Sequence, residues 1–220
     1  MGSPTDLANL AVLRLGEQPI TDLDESPAAK AFYPLVRDVA LSWAPWTFAT
    51  TRQRLARLPD QPVSTYRWQY ELPTQPYCLR VLEIATNQTQ MIGHRPWRTD
   101  FPYQREIWVP PTMPAMQRQV LLTDADEVVV RYIGRTHEAV WMPLFQEVVV
   151  LWLAKTLCQH ITGRANLTEV LQKELLLTVD RAVTVDGHQD TADEFQWDTL
   201  YLDVRQAYYA MGWPRATPEG

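Results

Sequence analysis

The chain has little cysteine, glycine or lysine, and no long apolar run. Cys78 and Cys158 are its 2 cysteines, among 220 residues. Two thiols cannot build a disulfide scaffold or a four-cysteine zinc site. The 4 histidines, His94, His137, His160 and His188, are far apart, and no HExxH or CxxC occurs. A metal site therefore lacks the usual spacing of its ligands. No GxxxxGK[ST] loop, GxGxxG or GxSxG is present either, so phosphate-cradling and hydrolase-elbow chemistry have no motif to stand on. The longest strongly apolar run, Val148 to Ala154, falls far short of the ~20 residues of a membrane span. The opening stretch MGSPTDLANLAVLRLG has no basic region followed by an apolar one, unlike a secretory leader. These absences predict a soluble protein made in a reducing cytoplasm, with free, core-packed thiols.

What is abundant is stiff and aromatic. There are 17 prolines against 8 glycines, with 9 tryptophans and 9 tyrosines. That balance predicts loops fixed in extended paths, not flexible linkers. Only Lys30, Lys155 and Lys173 are lysines among 20 basic residues; the rest are arginines. Arginine suits interfaces, because its planar fork bonds carboxylates and stacks on rings; the alternative reading of the bias is the base composition of the source genome.

Net charge is −6, with a sequence pI near 5.2, against a basic protein that coats nucleic acid. The charge is uneven: −3 over residues 1–49, +4 over 50–118, −1 over 119–164 and −6 over 165–220. A basic centre and an acidic end are compatible with three readings. One is DNA binding by Arg52, Arg54, Arg57, Arg67, Arg95, Arg98 and Arg105, some of them beside aromatics. Another is assembly in which opposite patches meet between subunits. The third is ordinary solvated surface.

Helices bracket strands along the chain. Ser3-Pro4-Thr5-Asp6 predicts a helix start, and Leu7, Leu10, Ala11 and Leu15 then share a face until Gly16. Ser26-Pro27 predicts a second start, followed by a stripe of Ala28, Phe32, Leu35, Val39 and Trp43 that Pro45 closes. Pro34 inside it predicts a kink. Short β segments follow from about Thr47 to Gly134. Tyr66–Leu72 and Cys78–Ile84 read as strands, and Gln119–Leu122 and Val128–Ile133 read as a hairpin around Asp124-Ala125-Asp126. The stretch from Leu144 to Ile161 is apolar on most sides, as the central helix of a bundle is. After Gly163, Asn166-Leu167-Thr168-Glu169 reads as a capping box for a helix running to about Val185. Asp186-Gly187-His188-Gln189-Asp190 reads as a polar break. Beyond it, Trp197, Tyr201, Val204, Tyr208 and Met211 are spaced four, three, four and three apart, one face of a helix. An extended arm is the competing reading. The predicted fold class is α+β: a bundle of about four helices with an inserted antiparallel β lobe and a C-terminal arm. Its parts are residues 1–46 and 138–185 for the bundle, 47–137 for the β lobe and 186–220 for the arm.

No catalytic residue, metal or cofactor is expected. A glycosidase needs only two carboxylates, and Glu71, Glu83, Asp100 and Glu106 lie near Trp97 and Trp108. Any acidic protein supplies such pairs. The aromatic stripe after the polar break suits either the subunit's own core or docking on a partner.

Leu13-Arg14-Leu15-Gly16-Glu17-Gln18-Pro19-Ile20, Ser26-Pro27-Ala28-Ala29-Lys30, Tyr33, Val36-Arg37-Asp38, Leu41 and Trp46-Thr47-Phe48-Ala49 follow in order. Further on come Tyr70-Glu71-Leu72-Pro73, Cys78-Leu79-Arg80-Val81-Leu82, Val130-Arg131-Tyr132-Ile133 and Leu153-Ala154. Together these resemble the head–tail adaptor (tail tubular protein A-like) family of short-tailed bacteriophages. The resemblance covers roughly residues 5–185; residues 90–117 and 186–220 match nothing in that pattern. It implies a virion structural protein, not an enzyme, made in the host cytoplasm and placed at the head–tail junction. Such adaptors form a ring of twelve below the portal, join it to the tail nozzle, and surround the channel through which double-stranded DNA leaves. The implied fold is a helical bundle with a β lobe, the bundle and arm facing the portal and the β lobe the nozzle. No membrane partner is implied. Contacts with partner proteins are expected from Trp197, Tyr201, Val204, Tyr208 and Met211, and from Arg95, Trp97 and Arg98. The alternatives are a carbohydrate hydrolase acting on cell-wall or capsule sugar, and a DNA-binding module.

Overall fold

The computed structural model describes residues 2–85, 102–110 and 116–188. The fold class is α+β, with four α-helices and two small antiparallel sheets among the described residues. The chain divides into two compact units: one joins Met1–Thr47 to the chain from Trp141 onward, and the other is Phe48–Val140.

In the helical unit, α1 spans Pro4–Arg14. Its start is a capping box: the Ser3 hydroxyl accepts the Asp6 N–H at 3.1 Å, and the Asp6 carboxylate accepts the Ser3 N–H at 3.2 Å. These bonds hold the Asp6 carboxyl below its ordinary range. Gly16 follows the C-cap with φ +80, the left-handed geometry that stops a helix cheaply only at glycine. The buried side is Leu7, Ala8, Ala11, Val12 and Leu15, whereas Leu10, expected inside, is 40% exposed. Ala8 and Ala11 have no side-chain bulk and let α1 lie close on the core, which turns Leu10 outward.

Helix α2 spans Pro27–Trp43, with Ser26 as its cap and Pro27 in its first turn. It runs unbroken through Pro34, and Ala44 is extended before Pro45. Its buried side is Ala29, Tyr33, Val36, Ala40 and Leu41. This corrects the expected stripe: Leu35 is 61% exposed and Val39 38%. The helix is apolar over a wide arc, and the bundle takes the side about one residue, or ~100°, round from the expected one.

Helix α3 spans Pro143–Ile161 and buries Phe145, Val148, Val149, Val150, Leu151, Leu153, Ala154, Leu157 and Cys158. Its burial all round follows from its position, since it packs against α1, α2 and α4. Gly163 has φ +62, so the chain reverses at once into α4, Ala165–Gly187. This corrects the capping box expected at Asn166: the N-cap is Arg164, with no side-chain cap bond. The reversal at Gly163 starts the helix too early for Asn166 to cap it. Helix α4 buries Leu171, Leu175, Val179, Ala182 and Asp186. It also runs through the first residues of the expected polar break.

In the β unit, one sheet has the order β1-β6-β3 and the other β2-β5-β4. The strands are β1 Thr50–Arg54, β2 Trp68–Glu71, β3 Cys78–Ala85, β4 Tyr103–Trp108, β5 Arg118–Thr123 and β6 Val129–Gly134. All pairings are antiparallel, Thr50 facing Ile133 and Tyr103 facing Thr123, for example. Leu55, Tyr70, Leu72, Cys78, Ile84, Leu121, Val130 and Tyr132 share one core.

The expected β5–β6 hairpin is corrected, because these strands lie in different sheets. The chain between them turns a corner through the core: Ala125 is 2% exposed and Val128 0%. The Tyr70 hydroxyl lies 2.6 Å from the Ala125 carbonyl and 2.7 Å from that of Asp126. Asp124 accepts the Arg67 N–H at 2.9 Å, and Asp126 accepts the Trp68 indole N–H at 3.0 Å. Both aspartates thus bond the start of β2 and the residue before it, and do not close a two-strand turn.

Candidate functional site

The densest polar and aromatic arrangement stands where the chain leaves the helical unit and where it returns. The Trp46 indole N–H donates to the Ala40 carbonyl at 2.9 Å, fixing the residue after Pro45. Its ring meets Phe145 edge-on at 4.9 Å, and Phe145 meets Trp141 edge-on at 5.0 Å. Such edge contacts add to simple burial. One residue beyond Trp46, Thr47 donates its N–H at 2.8 Å and its hydroxyl at 2.7 Å to the Asp186 carboxylate. Asp186 is only 2% exposed, and buried carboxylates persist where hydrogen bonds satisfy them. This bond joins the last turn of α4 to the chain 139 residues earlier.

Sequence reasoning missed Asp186 by weighing its polarity above its position. It stands four residues after Ala182 and seven after Val179, continuing the buried stripe of α4. That spacing was the available signal.

A second polar link is Arg14, which pairs with Glu147 and, at 3.0 Å, with Glu174. It ties α1 to α3 and α4 at a half-exposed position. Between α2 and α3, Trp43 meets Trp152 edge-on at 5.6 Å, and Phe32 stacks on His160 at 5.0 Å.

In the β unit, charges close on each other. Arg118 pairs with Glu71 at 2.8 Å, Arg131 with Glu83 at 3.4 Å and Arg54 with Glu127 at 3.6 Å. Arg57 stands over the Trp68 ring at 4.0 Å and Arg135 over Tyr77 at 4.8 Å. Arg105 donates to Gln119 at 2.8 Å, and Glu106 accepts from Gln104 at 3.0 Å. Glu71 and Glu83, weighed as hydrolase carboxylates, are therefore arginine partners, and several arginines weighed as a DNA surface are engaged within the unit. Burial pushes the Cys78 thiol up to about 11, with Arg105 drawing it partly back; such a thiol is a poor nucleophile at neutral pH. Two open depressions lie at the α3–α4 turn, beside Arg164, Thr168 and Glu169 and beside Asn166, Leu167 and Val170. Among the described residues, no group of three His, Cys, Asp or Glu is placed to hold a metal ion. Nor is any described helix long and apolar enough to cross a membrane.

Outward-facing apolar side chains are the other surface feature. Leu10 on α1, Leu35 on α2, and Val170 and Leu177 on α4 are 40–63% exposed. On β4, Tyr103 and Ile107 are exposed as well, and β4 is a sheet edge among the described strands. Apolar side chains spread singly over several faces are ordinary for a protein surface. The eight residues expected to bind partners, Arg95, Trp97, Arg98, Trp197, Tyr201, Val204, Tyr208 and Met211, all lie outside the described residues, as does Asp100.

In comparisons with known proteins, the chain matches no protein-family model and no curated sequence.

Proposed function

We propose that the chain is a virion structural protein, the head-to-tail adaptor of a short-tailed bacteriophage. Twelve copies form a ring between the portal and the tail nozzle, around the channel through which double-stranded DNA leaves. It is made in the host cytoplasm and acts without catalysis, metal or cofactor. The observation that carries the reading is the inserted-lobe architecture. A four-helix unit is interrupted at Thr47 and resumed at Trp141 by a unit of two antiparallel sheets, which is the arrangement the sequence resemblance implies.

Two further features support it. The helical unit presents Leu10, Leu35, Val170 and Leu177 to solvent, side chains that a ring has available for contacts between subunits. The charge runs from +4 over residues 50–118 to −6 over residues 165–220, as in subunits whose opposite patches meet. In this reading the helical unit faces the portal and the β unit the nozzle. The channel DNA is passed without sequence-specific contact, and the acidic balance limits its adhesion.

Native mass spectrometry of the full chain, with and without its cognate portal protein, tests the reading. Twelve copies of 25.4 kDa give about 305 kDa, and added portal should yield a complex carrying that extra mass. A chain that stays monomeric and never assembles on the portal overturns it.

A further inference from the structure

The outward face of α4 is ordered in both apolarity and charge. Val170, Leu177 and Val185 are 60%, 63% and 42% exposed. Their spacing of seven and then eight sets them in one line along the helix, as in the apolar seam of a coiled coil. At ~100° per residue, Lys173 and Asp180 stand to one side of Leu177, and Glu174 and Arg181 to the other. All four charged residues are exposed. The opposite side of the helix, with Leu171, Leu175, Val179 and Ala182, is buried in the bundle.

This face is its own complement. A second α4 laid antiparallel, with Leu177 facing Leu177 across a two-fold axis, brings each flank against the same flank of its partner. Lys173 then stands within one residue, about 1.5 Å along the axis, of the second copy's Asp180. On the other flank, Glu174 stands as close to the second copy's Arg181. Symmetry repeats both pairs, so every one of these charges meets its opposite. Glu174 already accepts from Arg14 at 3.0 Å, and its side chain is still 47% exposed, which leaves room for a second cation. Val170 comes level with Thr184 and beside Val185 of the second copy, so the seam is apolar at both ends. A parallel second copy would instead set Lys173 beside Lys173 and Glu174 beside Glu174.

We propose that α4 is a self-association surface, on which two copies of this chain pair antiparallel about a two-fold axis at Leu177. Such a contact uses the same patch on both copies, whereas a ring closed by rotation joins two different patches. The α4 pair therefore belongs to the chain outside any ring, and it does not rest on the adaptor reading.

The test uses the full-length chain without portal. In analytical ultracentrifugation the concentrated chain should run as a dimer, about 51 kDa from two copies of 25.4 kDa, and dissociate on dilution. Leu177→Asp sets two like charges on the axis and should weaken the pair at least ~10-fold. Leu177 is exposed, so the subunit keeps its fold in this variant, which circular dichroism checks. Lys173→Glu or Asp180→Lys alone brings like charges together and should weaken the pair about 5-fold. The double variant Lys173→Glu/Asp180→Lys exchanges the charges and should return it to within ~2-fold of the parent chain. A parent chain that stays monomeric when concentrated, a dimer untouched by Leu177→Asp, or a double variant no tighter than its singles each overturns the proposal. A ring of twelve formed without portal also overturns it and leaves the adaptor reading standing. Dimers with these properties that never assemble on portal bear out the proposal and overturn the adaptor reading.

Discussion

Replacing Asp186 should loosen the helical unit well beyond the last turn of α4. The carboxylate accepts two hydrogen bonds from Thr47, at 2.8 and 2.7 Å, in a position 2% exposed to solvent. Hydrogen bonds to a charged group are each worth about 1.5–3 kcal/mol, and an orphaned buried donor costs about 1–3 kcal/mol. Asp186→Ala removes both bonds and leaves both Thr47 donors unpaired, so a loss of about 3 kcal/mol is expected. Asp186→Asn keeps one acceptor and relieves a negative charge at a helix C-terminus, where the macrodipole opposes it; its expected cost is about half as large. Thr47→Val removes the hydroxyl alone and should cost about 1 kcal/mol. The double variant Asp186→Ala/Thr47→Val should cost less than the two singles together, because the hydroxyl has already lost its acceptor. Urea unfolding followed by two probes measures this, since the two units need not unfold together. An Asp186→Ala variant within about 0.5 kcal/mol of the parent chain, or strict additivity with Thr47→Val, would refute the reasoning.

Two further expectations concern the β unit. A methyl group added at Gly134 would meet the Pro76 ring at 2.9 and 3.1 Å, so Gly134→Ala should destabilise by about 1–3 kcal/mol through overpacking; an unchanged urea midpoint would count against it. The Cys78 thiol is pushed up from 9.0 to about 11 by burial, so the folded chain keeps a proton that the unfolded chain gives up above pH 9. Stability from this group should therefore be complete below about pH 9 and fall as pH rises toward 11. Cys78→Ala should flatten that fall in unfolding curves taken between pH 8 and 10.5. Part of the slope should survive in the variant, because burial also raises Tyr70 and Tyr132 above 10.0.

Features set by neighbours in the chain were legible in the sequence. Ser3 with Asp6, Ser26 with Pro27, and Gly16 and Gly163 mark helix ends through local bonds and dihedral angles. The uniform apolarity of α3 announced its central place. Features set by distant partners were not. Asp124-Ala125-Asp126 makes an equally good hairpin turn or sheet corner, and only the burial of Ala125 beneath the Tyr70 hydroxyl decides for the corner. Asn166 and Glu169 have the spacing of a capping box, but Gly163 reverses the chain before they can act. Asp186 carried a legible position and a misleading chemistry. Its partner, Thr47, is 139 residues away, beyond any window in which periodicity is read. The residues expected to meet other proteins lie in 86–101 and 189–220, outside the described chain.

The misplaced face of α2 carries a physical lesson of its own. A surface helix against one neighbour needs an apolar arc of about 100°. On α2 the apolar positions Ala28, Ala29, Phe32, Tyr33, Leu35, Val36, Val39, Ala40 and Trp43 cover a much wider arc. Periodicity then returns a direction between two faces, and choosing one of them as the core side is arbitrary. The bundle takes the Tyr33 and Val36 side, while Phe32 and Trp43 meet His160 and Trp152 of α3. Leu35 and Val39 stay at the surface between those contacts, as single apolar side chains ordinarily do. Two neighbouring directions of one helix are thus both used inside the bundle, which is why the periodicity of α2 singles out neither of them.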